Sequence, residues 1–135
     1  MPQGPKYHLC GSRLTDDTVI LRVILEGLNR QAREWSETIT ICDDGTLQGL
    51  DHEVEMFKYL EHRRVKEWDG KAVILAFMDR LSHNRETEML LIAADRSSRP
   101  AFIISTYQGG SWGRFTRRHQ TVTPPVYASE HADSP

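Results

Sequence analysis

The stretch "KAVILAFM", residues 71–78, constrains this chain more than any other, because residues 72–78 are apolar at nearly every position. A strand with one face in water alternates apolar and polar residues, so an unbroken apolar run must be covered on both faces. Two more runs of strand length follow, "TEMLLIAA" (87–94) and "AFIISTY" (101–107). The intervening segments "DRLSHNRE" and "DRSSRP" are too short for crossover helices, which predicts three strands in an antiparallel meander.

Upstream, "LTDDTVILRVILEGLNRQAREWSE" repeats Leu21, Ile24, Leu25, Leu28, Ala32 and Trp35 at steps of three and four. That spacing predicts an amphipathic helix over about 16–35, capped by Thr15, with Asp16 and Asp17 at the positive end of its dipole. Val19 and Val23 sit beside its polar face and suggest a homodimer contact or cover from the N-terminal arm. The β-branched "TITI" before Asp43-Asp44-Gly45 predicts a strand, a tight turn and a short return strand. Residues 51–63 are rich in helix formers, while 64–68 fit either a helix or a hairpin strand.

Together these elements predict an α+β fold, with an N-terminal amphipathic helix packed on a mainly antiparallel sheet that ends in a three-strand meander. Its 135 residues make one domain, expected over 15–122, with a loose N-terminal arm (1–14) and a Pro-rich disordered tail (123–135). No apolar run approaches the roughly 20 residues a membrane span needs. The opening residues lack the charged and apolar regions of a secretory signal, so the expected location is cytoplasmic. Cys10 and Cys42 are then expected to be reduced and buried.

The net charge of -2 hides a division. From Arg96 to Ser129 the chain has five arginines and no acid, whereas the preceding residues are acidic on balance. Within this part, "QGGSWGRFTRRHQ" (108–120) interleaves Trp112 and Phe115 with Arg114, Arg117 and Arg118. Guanidinium groups bind phosphate and aromatic rings stack on bases, but Trp and Arg are also favoured in protein interfaces. An overall pI near 6.3 weighs against a dedicated nucleic-acid domain. The expected function is a small non-enzymatic binding or regulatory module working through protein contacts. Its expected contact residues are Arg96, Arg99, Trp112, Arg114, Phe115, Arg117 and Arg118. RNA or single-stranded DNA binding by the same arm is the alternative, and a phosphodiester-cleaving enzyme a weaker one.

Other chemistry finds little support. On one helix, His52 and His62 would lie about 15 Å apart, too far to share a metal. "HNRE" (83–86) with Asp79 could supply a base and an arginine, but polar loops hold such groups by chance. No Gly-x-Ser-x-Gly elbow or glycine-rich phosphate loop occurs. No cofactor or metal is expected.

Overall fold

A computed structural model describes residues 2–11, 18–78, 85–105 and 120–122. The elements run β1 (Gln3–Gly11), α1 (Thr18–Trp35), β2 (Thr38–Asp43), α2 (Leu50–Glu55), β3 (Leu60–Arg64), β4 (Val73–Met78), α3 (Arg85–Arg96), β5 (Ala101–Ser105) and β6 (Gln120–Val122). Among the described residues six strands form one sheet in the order β3-β2-β1-β4-β5-β6, and every pairing between them is parallel. This is an α/β fold. It overturns the predicted α+β class, its antiparallel meander and its helix-first order.

The error has a physical source in residues 87–94. Their apolar content fits a buried strand, but Glu, Met, Leu and Ala are helix formers without β-branching. They fold as the core of α3, burying Thr87, Leu91 and Ala94 at steps of four and three. The polar segments "DRLSHNRE" and "DRSSRP" are therefore not hairpin turns. Their residues Arg85, Glu86, Asp95 and Arg96 belong to the two ends of α3, the crossover helix of a β4-α3-β5 unit, which makes the strands parallel. Double coverage of β4 is present nevertheless. Leu75 and Phe77 enter the α1 cluster, and Ile74 and Ala76 enter the α3 cluster.

A second correction concerns the N-terminus. Residues 3–11, read as part of a loose arm, form the strand between β2 and β4 at the centre of the sheet. The side chains of Tyr7 and Leu9 join the α1 face, and that of Cys10 joins the α3 face. Lysine and histidine within "PKYHLCG" dilute its apolar character, so the pattern of a central strand is weak. A third correction falls on residues 44–68. No return strand follows the Asp-Asp-Gly turn, and the 51–63 helix shrinks to α2 before β3 pairs parallel with β2.

Helix α1 forms, and its Leu21, Leu25, Leu28 and Ala32 are buried with Ile39, Ile41 and Leu75, with Ile24 partly buried beside them; Trp35, expected on the same stripe, is exposed instead. Both long helices end in the same way. Ser36 and Ser98 adopt positive φ values of 53° and 54°. After α1, Glu37 N donates to Ala32 O (2.9 Å) and Ser36 N to Arg33 O (3.2 Å). After α3, Arg99 N donates to Ala94 O (2.9 Å) and Ser98 N to Asp95 O (3.1 Å). This pair of bonds turns the chain sharply at a left-handed residue. Serine occupies the position that glycine normally takes, so these stops were not visible in the sequence.

The connection from β3 to β4 must pass β2 and β1, about 14 Å of sheet. Residues 65–72 make it without a helix, since eight extended residues reach more than about 25 Å. Asp69 folds this strap by accepting bonds from Lys71 N and Ala72 N, both 2.8 Å, and its other oxygen meets Lys6 Nζ at 3.2 Å. Trp68 Nε1 donates to Ala72 O (2.9 Å), and its ring packs against the α3 cluster.

Candidate ligand crevice

Strand order grows outward in opposite directions from the β1–β4 pair, so the connections after β1 and β4 leave toward opposite faces. In open parallel sheets such a reversal leaves a crevice at the carboxyl ends of the strands, where ligands bind. Here the close approach is tight. Gly11, the last residue of β1, has φ 127°, and a β-carbon there would lie 2.0 Å from Phe77 O of β4. Only glycine fits.

Next to this junction, on the α3 side, lies a cleft of about 190 Å³. His8 and Cys10 of β1 form its floor, and Asp44 and Thr46 enter from the β2–α2 turn. The strap contributes Lys66, Glu67 and Trp68, and the first turns of α3 contribute Glu86, Thr87 and Leu90. Liquid water occupies about 30 Å³ per molecule, so the cleft has room for about six waters or one ring-sized ligand.

The turn behind it is braced by Asp43, which is fully buried on the other face. Asp43 accepts from Gly45 N at 2.9 Å, and His62 Nε2 and Arg64 Nε lie 2.5 and 3.4 Å from its other oxygen. Asp44 in turn accepts from Thr46 N (3.0 Å) and Thr46 Oγ1 (2.8 Å). The Asp-Asp-Gly-Thr segment is therefore turn chemistry, as expected, but its second aspartate also borders the cleft.

Burial sets the electrostatics. His8 is 2% exposed, and desolvation lowers its pKa, with Asp44, Asp43 and Asp69 opposing from a distance. The imidazole is thus neutral near pH 7 and offers one donor and one acceptor. Burial also pushes the Cys10 thiol up to about 12, with Asp44 adding to the rise and a hydrogen bond from Thr87 opposing it. At that value Cys10 is no nucleophile. Three carboxylates (Asp44, Glu67, Glu86) against one ammonium (Lys66) give the described wall a net negative charge. Such a wall favours ligands that bring amine, amide or hydroxyl donors.

The residues singled out in the sequence fall elsewhere. Arg96 and Arg99 are exposed, at the amino-terminal edge of the sheet where α3 ends and β5 begins. Trp112, Arg114, Phe115, Arg117 and Arg118 lie outside the described residues, as do Val19's side chain, the cap Thr15 and the tail 123–135. His52 and His62 do not share a helix, since His52 is in α2 and His62 in β3. Of "HNRE", Arg85 and Glu86 open α3, while His83, Asn84 and Asp79 are outside the described residues. Cys10 and Cys42 are buried free thiols. Among the described residues no group of three metal-ligating side chains comes together, and no helix is long and apolar enough to cross a membrane. Sequence reading missed the cleft because its floor was assigned to an arm and its wall to a hairpin.

The order β3-β2-β1-β4-β5-β6 places the chain in the doubly wound α/β class by architecture. No family model, curated protein or solved structure matches it.

Proposed function

We propose that this protein is a small-ligand-binding module whose ligand sits in the crevice beside the β1–β4 reversal. The observation that carries this reading is the coincidence of two independent features: the topological reversal and a cleft with a buried, neutral histidine. His8 and the hydroxyls of Thr46 and Thr87 supply hydrogen-bonding groups, the carboxylates attract donors, and the Trp68 ring provides a stacking wall. The ligand class that fits is a single-ring molecule rich in donors, of nucleobase or aromatic-amine size.

The test is a titration of nucleobases, nucleosides and aromatic amines into a Trp35→Phe/Trp112→Phe variant, which leaves Trp68 as the sole tryptophan emitter. Binding is expected to change Trp68 emission and to weaken by about tenfold or more in Asp44→Ala, the loss of a charge-assisted hydrogen bond. Saturable binding indifferent to both Trp68 and Asp44 would rule the crevice out.

A protein or single-stranded nucleic-acid contact by the 108–120 arm is a separate proposal. It is supported by the acid-free span from Arg96 to Ser129 and by the exposure of Arg96 and Arg99. Oligonucleotide titration at two salt concentrations, with an Arg114/Arg117/Arg118→Ala variant, separates its two forms. Salt-sensitive binding lost in the variant supports nucleic acid, and no binding at low salt removes it.

A further inference from the structure

Helix α1 has a glycine at its middle. Gly27 in that position costs about 1 kcal/mol relative to alanine. Among the described residues nothing lies within 4 Å of a β-carbon built there, so their packing does not require it. The glycine opens instead onto a groove of about 520 Å³, floored by Leu75, Phe102 and Ile104 and flanked by the half-buried Val23 and Ile24. On the same groove stand Glu26 and Arg30, both exposed and one helical turn apart. Neither is in a salt bridge among the described residues.

We propose that this groove is a homodimer interface, filled by α1 of a second copy lying antiparallel to the first. Two-fold symmetry makes the charges of this face complementary to themselves. In an antiparallel pair with its axis level with Leu28, residues at equal distances on either side of position 28 face each other on the same flank. Glu26 then meets Arg30 of the partner subunit, and Arg30 meets Glu26 of the partner subunit. An isologous contact has this self-complementary form. Gly27 lets the two helix backbones approach closely at the crossing, and Ile24 of the partner subunit descends toward the apolar floor. The interface lies on the α1 face, on the opposite side of the sheet from the ligand crevice, so the two proposals stand independently.

Sedimentation of the full chain tests this directly. Wild type is expected to be dimeric at high micromolar concentration. Glu26→Arg sets two like-charged pairs across the axis and is expected to loosen the dimer by about tenfold. Arg30→Glu is expected to do the same, which covers the case in which one variant fails to fold. The doubly swapped Glu26→Arg/Arg30→Glu chain is expected to recover the wild-type dimer. A wild type that stays monomeric throughout, its groove covered by its own C-terminal residues or by another protein, overturns the proposal. So does a double swap no tighter than either single one.

Discussion

At the scale of single residues, burial rather than sequence neighbourhood decides the chemistry. His8 sits between Tyr7 and Leu9 in a strand and is almost wholly removed from water. Its folded pKa is lowered by desolvation, below the ordinary 6.5 that the unfolded chain retains. The unfolded state therefore binds more protons as pH falls below 6.5, and stability drops over that window. Asp69 acts in a lower one. Backbone N–H groups of Ala72 and Lys71 first, then Lys6, hold it at about 2 against an ordinary 3.8. The stability it contributes is present above 3.8 and lost as pH falls toward 2. Asp44 is the largest charge opposing the depression of His8. Asp44→Asn, which preserves the acceptor to Thr46, is thus expected to lower the His8 pKa further and steepen the loss of stability below pH 6.5. Histidine ring resonances followed by NMR against pH check this, and an unchanged or raised His8 pKa would refute the electrostatic picture of the cleft.

At the scale of elements, two helices end on a strained serine. A non-glycine residue in the left-handed region costs about 1 kcal/mol, and both Ser36 and Ser98 are exposed. Ser98→Gly is expected to stabilise the protein by about 0.5–1 kcal/mol, after allowing for the greater freedom of glycine in the unfolded chain. Urea unfolding measures it, and a destabilised variant would show that the turn after α3 is not left-handed. These stops also show what a sequence conveys at this scale. Helix α1 was legible because its apolar stripe repeats at steps of three and four from Leu21 to Ala32. Strand β2 was legible from four β-branched residues in a row. Helix α3 was not, because a short apolar run of strand length fits helix and strand equally, and no glycine or asparagine marked its end. Helix-forming Glu88, Met89, Leu90 and Leu91 were the signal that could have separated them.

For the whole molecule, one misread element changed everything downstream. With α3 taken as a strand, every short connection implied antiparallel neighbours, and the N-terminal residues had no place in the sheet. With α3 as a crossover helix, the same apolar run in β4 becomes the doubly covered strand of a parallel sheet. Its partner β1 then has to fill the centre. The site follows from that topology: the cleft residues come from β1, the β2–α2 turn, the strap and α3, spread from His8 to Leu90. No local motif links them, so only the fold assembles them.

In the proposed function, ligands enter at the β1–β4 reversal and not at the basic arm. The most direct measurement is a backbone amide NMR map of the full chain, titrated with the tightest ligand from the nucleobase and aromatic-amine panel. The expected result is a set of shifts centred on His8, Asp44, Thr46, Trp68, Glu86 and Thr87, with Arg96 and Arg99 unmoved. Shifts that gather at Arg96, Arg99 and residues 108–120 while the cleft stays still would contradict it.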